Sequence, residues 1–243
     1  MPIVEYRCFG KTYRRNLVMC PYKDHSLACR LTYFTIVMMV VFCLGCGQKD
    51  QKTLDKKEFS DALQASQSSD YKEIYLWEKE IDDEDIQKLA TLTELHSFAI
   101  PHARNVTNAS MEIIAKVPGL QNLDLAGASI DNEGLKPLRN HPTLTRLVLN
   151  ETKVTDAGLA VVATIPNLDC LELYRCFITD EGCRHIGKMK NLVKISLDTT
   201  PVSDRGLIHL YPLEHLRRLQ VWDTQVTDEG RKAFQRRMPN VEM

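Results

Sequence analysis

The chain has 243 residues, enough for one ordinary domain and a leader segment. Apolar residues make up 44% of it, so it can bury a real core, and its formal net charge of −1 argues against a protein held to nucleic acid by global charge. Eight cysteines occur, but no CxxC pair and no Cys/His cluster has zinc-site spacing. The sequence therefore predicts no metal, no cofactor and no nucleic-acid partner.

The first element in chain order is an apolar segment. Leu31–Gly45 is uncharged and has 15 residues, fewer than the roughly 20 that a membrane-spanning helix needs. Lys23 and Arg30 precede it and small residues follow it, which is the layout of a secretory signal peptide. We therefore predict that residues 1–46 are an export or membrane-anchor segment.

The end of this segment, Phe42-Cys43-Leu44-Gly45-Cys46, resembles a bacterial lipobox. The resemblance implies cleavage before Cys46, lipid attachment to its sulfur and a location in a bacterial cell envelope. Several acyl chains give stable membrane association, whereas one chain alone is marginal. An uncleaved single-pass anchor and a soluble protein with a merely apolar segment stay open as alternatives.

A polar stretch follows at residues 47–70, where Lys, Asp, Gln and Ser dominate. Within it, Leu54, Phe59, Ala62 and Leu63 fall on one face of a short helix. Two interpretations stay open. The stretch is either a flexible tether or a helix that caps the open end of the domain that follows.

An internal repeat fills the rest of the chain and decides the fold. Its frame is L-x-x-L-x-L, followed five residues later by Val or Ile, then Thr, Ser or Asp, then Asp or Asn, any residue and Gly. Five copies follow one another every 24 residues, beginning at Leu120, Leu144, Leu168, Leu192 and Leu216. Two weaker copies begin at Tyr71 and Leu95, and the first of them has Asp85 in the position of the glycine.

Each copy predicts a short strand followed by a short helix. The last two apolar residues of L-x-x-L-x-L alternate with polar ones, which is typical of a strand with one buried face. Thr155 suits a helix start, and we interpret the recurring Asp156, Asp180, Asp204 and Asp228 as helix caps, whose oxygens satisfy free backbone amides. One copy cannot bury its apolar face alone, so the copies must stack.

With this frame the sequence resembles the leucine-rich-repeat family. The Val-Thr-Asp-x-Gly-Leu stretch resembles the ribonuclease-inhibitor-like and cysteine-containing subtypes, and the repeat length resembles short bacterial members. The resemblance implies an α/β solenoid of about seven repeats over residues 71–243, with parallel strands on a concave face and short helices on a convex face. It also implies protein recognition on the concave face and supplies no catalytic residues, so we predict that the chain is not an enzyme.

Three cysteines lie within the repeats. Cys176 takes a position that Thr152 holds in another copy, so we predict a structural role for it. Cys183 takes the place of Leu159 and is predicted to lie in the core. Cys170 falls on an outward strand position and is predicted to be exposed.

The outward strand positions indicate where a partner binds. Large aromatic residues occupy four of these positions, where polar residues are usual: Tyr75, Trp77, Tyr174 and Trp222. The first two are alternatively covered by the Leu54–Leu63 segment. Aromatic residues and arginine are the usual anchors of an interface. We therefore predict a partner-binding surface on the C-terminal repeats, formed by Arg146, Glu172, Tyr174, Asp198, Arg218 and Trp222.

The function that these features predict is an envelope-tethered module that binds a protein or a peptide through its concave face. The alternative is an envelope protein that binds a glycan, with Trp222 and Tyr174 as stacking platforms. An enzyme or metal protein is disfavoured, because the sequence has no P-loop, no dinucleotide-binding glycine fingerprint, no G-x-S-x-G and no HExxH.

Overall fold

The structure is a computed structural model that describes residues 3–8, 11–16, 51–68, 72–77 and 79–243. The chain divides into two compact units, Met1–Lys49 and Asp50–Met243. In the first unit, β1 (Ile3–Cys8) and β2 (Lys11–Asn16) form an antiparallel pair, which the sequence reading did not predict.

The segment on which the export and lipid predictions rest, including Cys46, lies outside the described residues. Within the described part of the chain, no helix is long and apolar enough to cross a membrane. Export, anchoring and lipid attachment therefore stay predictions from the sequence.

The second unit is built on a seven-stranded parallel sheet whose strands follow one another in sequence order. The strands are β3 (Glu73–Tyr75), β4 (Ser97–Ala99), β5 (Asn122–Asp124), β6 (Arg146–Val148), β7 (Cys170–Glu172), β8 (Lys194–Ser196) and β9 (Arg218–Gln220). Each strand comes from one copy of the repeat. The predicted architecture, an α/β solenoid of about seven repeats, is confirmed.

Short helices connect the strands. The α-helices are α1 (Gln51–Ser68), α2 (Asp83–Ile86), α3 (Met111–Ile114), α4 (Asp156–Val162), α5 (Asp180–Ile186), α6 (Asp204–Ile208) and α7 (Asp228–Arg237). Three 3-10 helices cover Gln87–Thr91, Asn108–Ser110 and Lys136–Leu138. The repeat that begins at Leu120 has only a 3-10 turn, because Pro137 lacks the N–H that a longer helix requires.

The core lies between the sheet and the helices. The central residue of each strand points into it and is at most 1% exposed: Ile74, Phe98, Leu123, Leu147, Leu171, Ile195 and Leu219. Because successive strand residues point to opposite faces, the residues on either side of each central one face outward. This alternation is what the L-x-x-L-x-L pattern predicts.

The recurring aspartates begin helices, but their side chains serve the neighbouring repeat. Asp156 accepts hydrogen bonds from the backbone N–H (2.9 Å) and the hydroxyl (2.6 Å) of Thr179 in the next copy. Asp180 does the same for Ser203, at 2.8 and 2.7 Å. The capping oxygen of α5 belongs to Thr179, which accepts from the N–H of Glu181 at 3.2 Å. The interpretation of the aspartates as helix caps is therefore wrong for these side chains, which join one repeat to the next.

In the five regular copies a glycine makes room for the polar side chain that the preceding repeat supplies. The second copy has Ser110 at this position, and its hydroxyl donates to the carboxylate of Asp83 in the preceding repeat. A Cβ added at Gly206 would lie 2.6 Å from the Oδ1 of Asp180, closer than real Cβ atoms approach. The first copy has no preceding repeat and needs no such space. Its Asp85 instead completes a capping box with Asp82 at the start of α2.

Both ends of the stack are covered. At the N-terminal end, α1 places Phe59, which is fully buried, 6.5 Å from the ring of Phe98, while the side chain of Leu54 lies outside the described residues. At the other end, the N–H of Leu219 donates to the carbonyl of Glu242 at 2.8 Å, so the last residues pair with β9. The open ends of the sheet are thus covered by segments that are not repeats.

Candidate binding surface

Three rows of outward side chains cross the sheet, because every strand pairs with the next in the same register. The first row is Glu73, Ser97, Asn122, Arg146, Cys170, Lys194 and Arg218. The second row is Tyr75, Ala99, Asp124, Val148, Glu172, Ser196 and Gln220. The third row directly follows the buried residue after each strand: Trp77, Pro101, Ala126, Asn150, Tyr174, Asp198 and Trp222. We call these three rows the strand face. Neighbours within a row lie about 4.8 Å apart although they are about 24 residues apart in sequence.

A left-handed turn fixes the direction of the third row. The residue after each third-row position has positive φ from the second repeat onward, for example 57° at Glu151 and 55° at Arg175. Its N–H donates to the third-row carbonyl of the next repeat, as from Glu151 to Tyr174 at 2.8 Å. The turn thereby extends the hydrogen-bond ladder beyond the strands, and the third-row side chains are held on a regular backbone.

Two third-row side chains also accept hydrogen bonds from the backbone of the next repeat. The amide oxygen of Asn150 accepts from the N–H of Tyr174 at 2.8 Å, and the carboxylate of Asp198 accepts from the N–H of Trp222 at 2.7 Å. Two predicted site residues, Asp198 and Trp222, are thus joined directly. One carboxylate oxygen of Asp198 forms this bond and so positions the backbone of Trp222. The carboxylate group as a whole faces outward.

Glu172 is the centre of a charge network on the strand face. Its carboxylate accepts from Arg146 at 2.8 Å, from Lys194 at 2.9 Å and from Asn150 at 3.4 Å. Burial opposes ionisation, but the charge of Arg146 and the bonds from Lys194 and Asn150 outweigh it and hold the pKa of Glu172 below its usual value. The predicted pair Arg146 and Glu172 is therefore in contact, and both are already partnered within the protein.

Lys194 belongs to this network, and Asp124 lies within range of the charges of Arg146 and Glu172, although neither was among the predicted site residues. Asp124 accepts from the N–H of Ala126 at 3.0 Å, and burial raises the pKa of its carboxyl despite the charge of Arg146. The signal was present in the sequence, since charged residues of opposite sign recur at outward positions one repeat apart. The sequence does not show how far a long side chain reaches across neighbouring strands, so these contacts could not be predicted from it.

Cys170 is buried, so the prediction of an exposed thiol is wrong. The guanidinium of Arg146, one repeat earlier, reaches over it, with Nη1 3.3 Å from Sγ. Burial raises the pKa of this thiol, which makes it a poor nucleophile. The structural and core predictions for the other two cysteines are confirmed. Cys176 is buried and its thiol donates to the carbonyl of Leu149 at 3.0 Å, while burial raises the pKa of Cys183 to about 12.

The accessible part of the predicted site lies at its C-terminal side. Trp222 is 61% exposed, with the guanidinium of Arg231 5.1 Å from its ring centre. Arg218 pairs with Glu242 at 2.9 Å, but both side chains are more than half exposed, so the pair contributes little and opens easily. Tyr174 is half-buried. The predicted site therefore combines an ordered charged centre with an open aromatic edge.

Two further aromatic residues are open at the other end of the strand face. Tyr75 is 53% and Trp77 is 45% exposed, so the alternative that the Leu54–Leu63 segment covers them is wrong. α1 contributes Phe59 and Leu63 to the core instead. Among the described residues, no group of three or more His, Cys, Asp and Glu side chains is placed to hold a metal ion.

Two of the repeats match a known family of sequences. The family described as Leucine Rich repeat matches residues 140–163 and 213–234. The first match spans β6 and α4, and the second spans β9 and most of α7, so each coincides with one strand-and-helix unit of the structure. The chain contains leucine-rich repeats.

No curated protein matches this leucine-rich-repeat chain. A solved structure titled "Crystal Structure of a Pollen Receptor Kinase 3" is similar to it, with 15% identity and a TM-score of 0.40, over 64% of this chain and 74% of that one. Leucine-rich-repeat domains are in general non-enzymatic scaffolds for protein interaction. Solenoids of this kind bind on the long surface that their stacked repeats create.

Proposed function

We propose that this protein is an envelope-tethered module that recognises a protein or a peptide through the strand face of β6–β9. The observation that carries the proposal is that the charge network around Glu172 and the exposed ring of Trp222 share the strand face, two strands apart. An ordered polar centre beside an aromatic anchor is a common composition for an interface.

The charged centre sets the orientation of the partner. Arg146 and Lys194 are held by Glu172, so their positions are fixed before binding and little side-chain entropy is lost on association. Both charge signs are present, which favours a partner with a matching mixed pattern over a uniformly charged one.

The aromatic edge supplies affinity. Trp222 offers a large apolar area, and Asp198 fixes its backbone through the 2.7 Å hydrogen bond. Four strands at about 4.8 Å spacing give a surface about 14 Å wide, enough for an extended peptide or the edge of a small domain.

The strand-face proposal is tested by affinity capture with the full chain as bait and mass spectrometry as readout. Trp222→Ala should lose the proteins that the wild type retains, because truncation of an aromatic anchor typically costs about 1 kcal/mol or more of binding. Lys188→Ala, an exposed change on the helical side, is the matched control and should retain them. Equal loss in both variants, with both folded by circular dichroism, would refute the assignment to the strand face.

The tether is the second part of the proposal, and the lipobox-like end at Cys46 supports it. If the cysteine is lipidated, the protein incorporates labelled palmitate and partitions into detergent, and Cys46→Ser abolishes the labelling. A mature N-terminus elsewhere and no incorporated lipid would exclude the lipoprotein and leave the single-pass anchor to be tested by alkaline extraction of membranes.

A further inference from the structure

Three rings form a partly open row across the first two repeats. Tyr75 and Trp77 have ring centres 6.5 Å apart, and the ring of His102 lies 5.3 Å from Trp77 at 62°. We call these three residues the aromatic shelf. Contiguous exposed aromatic surface on a soluble protein commonly marks a binding site.

A pocket of about 340 Å³ adjoins the aromatic shelf, since His102 belongs to both. Its other walls are Lys79, Glu80, Arg104 and Asn105, from the loops that follow β3 and β4. A parallel bridge between Asp82 and Asn105 holds these two loops side by side. Arg104 and Asn105 are exposed. The side chains of Glu80, Arg104 and Asn105 have no hydrogen-bond or ion-pair partner among the described residues.

We propose that the aromatic shelf and this pocket form a binding site for a neutral saccharide of one or two sugar rings. A sugar ring has an apolar C–H face that packs on an aromatic ring, and Trp77 supplies such a surface. Its hydroxyls both donate and accept hydrogen bonds. The pocket offers donors on Arg104 and Asn105 and an acceptor on Glu80.

The size and charge of the pocket favour this ligand over others. A volume of about 340 Å³ lies at the small end of the range for small-molecule sites, which suits a disaccharide better than a folded partner. Lys79 does not make the pocket basic, because its ammonium pairs with Glu58 at 2.8 Å and Asp55 at 3.4 Å. Glu80 and Arg104 leave opposite single charges, so neither a polyanion nor a polycation is selected.

The site is distinct from the proposed protein-binding surface. It lies on the loops after β3 and β4, whereas Trp222 follows β9 at the other end of the same sheet. The two tryptophans of the chain are Trp77 and Trp222, one at each site, so each reports on its own surface. Failure of one proposal therefore does not imply failure of the other.

The test uses tryptophan fluorescence, excited at the red edge where tyrosine does not absorb, of the full chain carrying Trp222→Phe, in which Trp77 is the remaining tryptophan. The probes are N,N′-diacetylchitobiose, cellobiose and maltose, with tetramethylammonium chloride as a cation control. At least one disaccharide should change the emission saturably. Adding Asn105→Ala or Glu80→Gln should raise its dissociation constant tenfold or more, while adding Lys188→Ala should leave it unchanged.

The matched variant Trp77→Phe, which reports from Trp222, should show no response to the same sugar. The proposal is overturned if no disaccharide gives a saturable change, or if Asn105→Ala and Glu80→Gln leave the dissociation constant unchanged. A response to tetramethylammonium without one to any sugar would identify a cation site instead and would equally overturn it. Circular dichroism of each variant excludes unfolding as the cause.

Discussion

At the scale of single residues, the alternation along each strand separates essential from tolerant positions. Leu147 is fully buried at the centre of β6, so Leu147→Ala should lower the free energy of unfolding by about 2–5 kcal/mol, the range for a buried leucine. The matched control is Thr145→Ala, which removes a long hydrogen bond of 3.3 Å to the carbonyl of Gln121. Its effect should stay within about 0.5 kcal/mol. Urea unfolding of both variants measures the difference, and equal losses would mean that the strand register is wrong.

Two carboxyls on the strand face should respond to pH in opposite directions. The pKa of Glu172 is lowered, so its ionised form stabilises the fold above its ordinary value of 4.5, and that stability is lost as pH falls through the folded-state pKa. The pKa of Asp124 is raised, so its ionised form is unfavourable in the folded state at neutral pH, and protonation relieves this as pH falls through the raised pKa.

The matching substitutions separate the two effects. At pH 7, Glu172→Gln should reduce stability by about 1.5–3 kcal/mol, the scale of hydrogen bonds to a charged group. Asp124→Asn should instead raise the melting temperature. The difference in stability between each variant and the wild type should shrink in acid. For Glu172→Gln this occurs below the lowered pKa of Glu172. For Asp124→Asn it occurs below the ordinary value of 3.8. Melting curves between pH 7 and pH 3 provide the measurement. Parallel pH profiles for the two variants would contradict the opposite shifts.

The burial of single residues could be predicted from the sequence where the repeat period alone determines it. The buried strand centres and the core position of Cys183 follow from the repeat frame alone. The error at Cys170 has a physical reason. Period-two alternation predicts which face a side chain is on, but not whether a long neighbour such as Arg146 lies over it.

At the scale of elements, the two hydrogen bonds that Ser203 donates to the carboxylate of Asp180 join one helix start to the next. Asp180→Ala should reduce stability by about 1–3 kcal/mol, because it leaves the partly buried donors of Ser203 without their acceptor. Gly206→Ala should cost a similar amount, about 1–3 kcal/mol, because the new Cβ meets the Asp180 carboxylate.

A double-mutant cycle checks that the two residues act through one contact. Gly206→Ala should cost less in the Asp180→Ala background, where the carboxylate has been removed, so the two effects should not add. The control is Asp228→Ala. Within the described residues the side chain of Asp228 has no hydrogen-bond or ion-pair partner, so this change should have a smaller effect than Asp180→Ala. Strict additivity in urea unfolding would show that the contact is not shared.

The sequence predicted the elements better than the contacts between them. Strand, turn and helix start could be placed because each depends on local pattern. The hydrogen bond between Thr179 and Asp156 joins residues 23 positions apart in the sequence. The same residues also fit a helix-cap motif, so the sequence pattern alone does not distinguish the two contacts. The distinguishing signal was the first copy, where Asp85 stands in the position of the glycine and completes a capping box with Asp82.

At the scale of the whole molecule, stacking makes the repeat domain nearly one-dimensional, since each repeat contacts mainly its neighbours. The number and order of the strands could therefore be predicted from the period alone. The pairing of Glu242 with β9 could not, because the last residues do not follow the repeat frame. The six residues predicted to bind a partner do lie on the strand face, but their contacts within the protein depend on side-chain reach rather than on period.

The two ends should therefore fail independently. Phe59 of α1 covers the first repeats and Phe234 of α7 covers the last, and both are fully buried. Replacing either by alanine should cost about 3–5 kcal/mol locally, and in a stack with nearest-neighbour coupling the loss should weaken mainly the adjacent repeats. Hydrogen exchange is the appropriate measurement because it resolves local opening from global unfolding.

Phe59→Ala should speed exchange in β3 and β4 while β8 and β9 stay protected, and Phe234→Ala should do the reverse. Tyr211 stacks on Phe234 at 5.6 Å and should become more mobile in the second variant alone. The independence of the two ends also bears on function. The proposed saccharide site lies beside the end that Phe59 supports, and the proposed protein site lies beside the end that Phe234 supports. Uniform loss of protection across all seven strands in either variant would show instead that the domain unfolds as a single cooperative unit.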